Sequence, residues 1–248
     1  MLNAILNPVA ADCDGRGIWY DFWDKEIAWM IVIAIAFITA SVFLYAARQA
    51  TKHQAASQRK VFVGFGMFVI GFAIARILFI FSDIERWNSC ETPLFFRFVL
   101  LSYTVGIFSS LALMIVIERD ILQYQKGIMS KFYLSMALIA LVMAIFSNYI
   151  LAYIDTIRLF NTIISVFGSA VLMVLFLRII FQSTGVIRTN ATLNFLGIVI
   201  IFIGVIIDGD LVIRRLNIPI WTPAIFPMIG FLLIMYNQFK SVKNIYGE

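Results

Sequence analysis

Residues 61–82 read VFVGFGMFVIGFAIARILFIFS, an unbroken apolar run with one charge, Arg76, set inside it. A helix of this length rises about 1.5 Å per residue and reaches roughly 33 Å, which matches the ~30 Å hydrocarbon layer of a bilayer. The run shows no long period-two alternation, so a helix rather than a barrel strand is the way to satisfy its backbone in lipid. Six more such runs lie around it, giving expected spans at Glu26–Ala47, Val61–Ser82, Leu94–Ile117, Phe132–Tyr153, Leu159–Ile180, Thr189–Ile207 and Ile218–Phe239. The fold class expected is all-α: an integral membrane bundle of seven transmembrane helices. A 62% hydrophobic and 13% charged composition over 248 residues leaves no room for a separate soluble domain.

Charge asymmetry orients the bundle. Connectors Arg48–Lys60, Glu118–Lys131 and Arg178–Arg188, with the tail from Lys240, hold eleven Lys/Arg against three acids. The segments on the other side hold seven Lys/Arg against eleven acids. The positive-inside rule then puts the N-terminus outside and the C-terminus in the cytoplasm. Trp19, Trp23, Trp29, Trp87 and Trp221 all fall at the proposed outer boundary, as an interfacial aromatic belt requires. The organisation expected is an extracellular N-terminal segment (1–25), a seven-helix transmembrane domain (26–239) and a cytoplasmic tail (240–248), in the cell membrane as a multi-pass protein. The net charge of +5 is on this reading a topology signal, and no nucleic-acid partner is implied. The two cysteines, Cys13 and Cys90, both fall on the outer side, where a disulfide between them and two unpaired thiols are equally open readings.

Several chemistries are disfavoured by the residues present. All seven lysines lie in connectors or at helix ends, and the middle of the seventh span reads Pro227-Met228-Ile229-Gly230-Phe231, so a retinal Schiff base has no lysine to form on. A single histidine, His53 in a connector, supports neither a metal centre nor a serine-hydrolase base. Asp208-Gly209-Asp210 lacks a second intramembrane aspartate on another helix for an aspartyl dyad. The expectation is a non-enzyme with no cofactor and no metal.

Two features point to ligand recognition. Arg76 is the only charge well inside a span, and a buried membrane charge needs a protein partner or a wet cavity. Asp83 lies seven positions on, on nearly the same helical face, and Asp208 is a second partner if the sixth helix continues through Leu211–Ile213. Pro219, Pro223 and Pro227 recur every four residues beside Trp221, with Pro219 fitting a first helical turn and Pro227 breaking a helical hydrogen bond within the seventh span. The candidate ligand-binding residues are therefore Arg76, Asp83, Asp208, Trp221 and Pro227. Helix packing alone is the plainer reading of the small-residue stripes, such as Ala36 with Ala40 and Ser102 with Gly106 and Ser110.

Glu118-Arg119-Asp120 closes the third span, and Glu118 and Arg119 are the candidate partner-facing residues. An acid–arginine pair at that helix end is similar in outline to G-protein-coupled receptors. The chain departs from that family where Asp120 replaces an aromatic, where the sixth span lacks Trp-x-Pro, and at Tyr236-Asn237-Gln238. Three functional readings follow. One is a receptor- or sensor-like protein that binds a small ligand, anions included, in an outward-facing pocket and acts through a cytoplasmic or membrane protein partner. The others are a transporter or channel for a small molecule or ion, and a non-catalytic subunit of a membrane complex.

Overall fold

The computed structural model describes residues 22–53, 56–89, 92–124, 126–146, 154–208 and 218–246. They form seven long helices: α1 (Phe22–Lys52), α2 (Ala56–Ser89), α3 (Pro93–Val116), α4 (Ile128–Ile145), α5 (Ile154–Gln182), α6 (Gly185–Ile207) and α7 (Thr222–Tyr246). All seven are long and apolar enough to cross a membrane, so this is a multi-pass membrane protein. Cys13 and Cys90, for which the sequence leaves a disulfide and two free thiols equally open, lie outside the described residues.

Helices α2 and α3 run antiparallel, as do α6 and α7, and the close approaches fall where a side chain is small. Gly64 of α2 meets Val116 of α3, Gly71 meets Ser109, and Ser102 Oγ donates to the Ala75 carbonyl at 2.6 Å, so rising numbers on α2 oppose falling numbers on α3. The same logic joins α6 and α7: Gly197 packs on Ile234 and Gly230, and Gly204 packs on Pro223 and Pro227. Lipid offers no hydrophobic drive between helices, so such close contact has to supply the packing energy. Helix α1 packs on both α2 and α7 and closes the ring, while α3 lies against α2, α4 and α5. The interior is filled by Phe43, Phe68, Leu100, Ile107, Leu113, Met114, Leu172 and Phe231. Large apolar side chains such as Ile38, Phe81, Val142, Val174 and Ile206 point outward, as a lipid-facing surface requires.

Most boundaries move outward from the expected ones. Helix α1 begins at Phe22, four residues before the apolar run, which carries Lys25 and Glu26 into the bundle. Helix α4 starts early, at Ile128, and ends at Ile145, whereas its run was expected to continue to Tyr153. Helix α7 begins at Thr222, so Pro219 is not in a first helical turn: it lies in the turn ahead of the helix, where its carbonyl accepts from Thr222 N at 3.0 Å. Pro227 does sit inside α7. Having no N–H, it leaves the Pro223 carbonyl without its usual helical donor, and Gly204 of α6 packs directly on that step.

Candidate functional site

Near the junction of α1, α2 and α6 five ionisable side chains gather, Lys25, Glu26 and Arg76 buried and Asp83 and Asp208 half-buried. Arg76 of α2 points inward, 6% exposed, and its Nη1 donates to Asp208 Oδ2 at 2.7 Å. Its Nη2 lies 4.0 Å from Asp83 Oδ2, one face and two helical turns along, as the seven-residue spacing requires. Lys25 Nζ of α1 donates to the same Asp83 oxygen at 2.9 Å. The guanidinium stacks on the Trp29 ring, 3.7 Å from its centroid. Glu26, 1% exposed, completes the group, with its carboxyl against that of Asp83. The sequence-predicted trio Arg76, Asp83 and Asp208 is thus brought together by two helices distant in sequence.

Asp208 reaches Arg76 from the end of α6. Helix α6 ends at Ile207 and Asp208 is its C-cap, with its N–H bonded to the Gly204 carbonyl. The continuation through Leu211–Ile213 falls outside the described residues. A carboxylate at a helix C-terminus opposes the helix dipole by about 0.3–1 kcal/mol. The 2.7 Å contact with Arg76 offsets that cost and holds α6 to α2.

The pairing is incomplete. Arg76 Nε and Nη2 and Trp29 Nε1 are buried donors with no hydrogen-bond acceptor among the described residues. Asp208 Oδ1 is a buried acceptor that no N–H or O–H donor of those residues reaches, and the Glu26 carboxyl meets no N–H donor, only the Asp83 carboxyl. Native interiors leave few such groups, because each costs about 1–3 kcal/mol, and more when charged. Here donors and acceptors both gather in one cluster. Among the described residues, no three of His, Cys, Asp and Glu converge closely enough to hold a metal ion.

The other candidates go elsewhere. Trp221 lies in the turn before α7, 41% exposed, and among the described residues no hydrogen bond, ion pair or ring contact joins it to Arg76. Pro227 is buried in the α6–α7 contact. Glu118, expected to face a partner, is instead 2% exposed: Oε1 accepts from Met129 N at 3.0 Å and Oε2 from Ser130 N at 2.8 Å. It caps the start of α4 from a π-helical turn, Ile117–Ile121, that ends α3. The wider turn is what swings the carboxylate under α4. Arg119 on the same turn is exposed, as a partner-facing residue would be.

Lys25, Glu26 and Trp29 were missed as site residues. They stand at the lip of an apolar run and read there as boundary residues. The signal available was spacing: positions 25, 26 and 29 share one face of a helix.

Comparison with family models, with curated proteins and with solved structures finds no match.

Proposed function

We propose that this protein is a receptor- or sensor-like membrane protein that takes a small polar ligand at the Arg76 cluster and acts through a protein partner. The observation that supports it is the set of unpaired buried atoms on Arg76, Trp29 and Asp208. Buried hydrogen-bonding capacity left open on both cations and carboxylates is what a polar ligand would complete. The charge rule of the connectors turns this end of the bundle toward the outside.

The ligand class is zwitterionic rather than plainly anionic. Two carboxylates, Asp83 and Asp208, balance two cations, Lys25 and Arg76, while the Glu26 carboxyl hydrogen-bonds to Asp83, which requires a proton between them. Open donors on Arg76 and Trp29 stand beside an open acceptor on Asp208, so a ligand with groups of both signs matches the site better than an anion alone. A molecule carrying both a carboxylate and an ammonium would place the first on Arg76 Nε, Nη2 and Trp29 Nε1, and the second on Asp208 Oδ1.

Thermal unfolding of the purified, solubilised chain tests this against a panel of zwitterionic amino acids, matched carboxylates lacking the amine, and matched amines lacking the carboxylate. A ligand at about 100 times its Kd adds roughly 2.7 kcal/mol to the folded state. The expected result is saturable stabilisation by at least one zwitterion, weaker with either half-molecule, and lost in Arg76→Lys. Absence of saturable stabilisation across the panel would overturn the reading.

A further inference from the structure

At the opposite end of α2 a second feature stands apart from the Arg76 cluster. A groove of about 430 Å³ runs between α2 and α3, with Arg59, Lys60 and Asp120 at its mouth and Val63, Met67, Ala112 and Ile115 along its walls. That volume lies within the roughly 300–1,000 Å³ of small-molecule clefts. Its floor exists because Gly64 has no side chain: a Cβ there would lie 3.0 Å or less from Val116, so the Val116 side chain seats directly on the α2 backbone.

The groove opens sideways, toward lipid. Met67 is 55% exposed on its wall, and both helices are membrane-crossing in composition over Gln58–Arg86 and Pro93–Ile121. From Lys60 to Met67 is seven residues, about 10 Å along the helix axis. The mouth therefore sits at the depth of lipid headgroups while the walls descend among acyl chains.

The charges at the mouth select the headgroup. Lys60 Nζ bonds Asp120 Oδ1 at 2.9 Å, which leaves that pair neutral. Arg59 is exposed and has no carboxylate within ion-pair distance among the described residues. The mouth thus carries one uncompensated positive charge beside a lysine that still presents donors to solvent, being 63% exposed. Arginine in that setting suits a phosphate, which accepts its forked N–H donors.

We propose that this groove binds an anionic phospholipid, its phosphate on Arg59 and Lys60 and one acyl chain lying over Gly64 between Val63, Met67 and Ile115. Basic residues between transmembrane helices at the headgroup layer bind acidic lipids by this combination of charge and apolar groove.

Native mass spectrometry of the full chain, extracted from vesicles of phosphatidylglycerol and phosphatidylcholine in equal amounts, reads the bound lipid directly. Retained phosphatidylglycerol in clear excess over phosphatidylcholine is the result expected. Arg59→Gln should lower that retention by about fivefold, the effect of one basic residue near a charged lipid surface. Met67→Trp, which fills the groove at an exposed position and leaves the charges intact, should lower it as well. Circular dichroism confirms that both variants keep their helices. Equal retention of the two lipids, or retention unchanged in both variants, would overturn the proposal. So would displacement of the lipid by millimolar inorganic phosphate, which would mark a free-anion site instead.

Discussion

Arg76 and Glu118 are both buried charges within membrane-spanning helices, at 6% and 2% exposure, yet they are held in different ways. Both Glu118 oxygens receive backbone N–H groups from the first turn of α4. Its partners are fixed by the main chain, and neither carboxylate oxygen lacks a donor. Arg76 is held by side chains, with one strong contact to Asp208, one long one to Asp83 and the Trp29 face, and two of its three nitrogens have no acceptor. A charge whose bonding capacity is used up fixes a fold. A charge with capacity to spare beside other groups in the same condition is a candidate for recognition.

The largest test of that contrast is removal of each charge. Arg76→Leu leaves the half-buried Asp208 without its cation and should destabilise the solubilised protein by about 3 kcal/mol in chemical unfolding. Adding Asp208→Leu should restore most of the loss, because a buried ion pair exchanged for apolar side chains is often neutral or better. Glu118→Leu should cost about 3 kcal/mol or more by stranding two amide donors, and no second side-chain substitution should rescue it, since its partners are backbone. If Glu118→Leu proves mild, or Arg76→Leu is not rescued through Asp208, the distinction between the two sites fails.

A smaller effect is expected at the α6–α7 contact, which separates the Arg76 cluster from a polar group farther down the same helices. There Asn237 Nδ2 donates to Asn194 Oδ1 at 2.9 Å and to the Asn190 carbonyl at 3.1 Å. Between the two lie Gly197 against Gly230, and the fully buried Ile198, Ile201, Phe231 and Ile234. That apolar layer separates the two polar groups along α6 and α7. Gly204→Ala would drive a methyl group into Pro227 and toward the Pro223 carbonyl, costing about 1–3 kcal/mol by overpacking. Measured with the Arg76→Leu variant, the two losses should fall short of additive, because Gly204 lies one turn before Asp208 and a displaced α6 end already weakens the Arg76 contact.

The fold was legible because lipid imposes a length and a composition, and all seven expected spans correspond to helices. Their ends were less so, because lipid constrains the apolar middle and not the flanks. Lys25 and Glu26 show this: hydropathy stops at them, whereas the helix runs on to Phe22 and buries both against α2. Arg76 with Asp83 could be paired from spacing within one helix. Its contact with Asp208 joins residues 132 positions apart, and no local pattern encodes that. Glu118 was misjudged because a charge at a helix end ordinarily meets solvent. The π-helical turn at Ile117–Ile121 redirects it inward, and nothing in its neighbours' apolar pattern announces such a turn.

The finest discrimination comes from Trp29→Phe. The change keeps a ring under the guanidinium and removes one unpaired donor, Nε1. If the cluster were purely structural, losing an unsatisfied buried N–H should leave stability unchanged or raise it by up to about 1 kcal/mol, set against a slightly weaker cation–π contact. If the cluster takes a ligand through that N–H, the same variant should keep its basal melting temperature and lose part of the zwitterion-induced stabilisation. A charge-assisted hydrogen bond of about 1.5–3 kcal/mol corresponds to a weakening of roughly 10- to 150-fold in affinity. Thermal shift titrations on the two proteins side by side separate those outcomes, because basal stability reports the packing and the ligand midpoint reports the N–H.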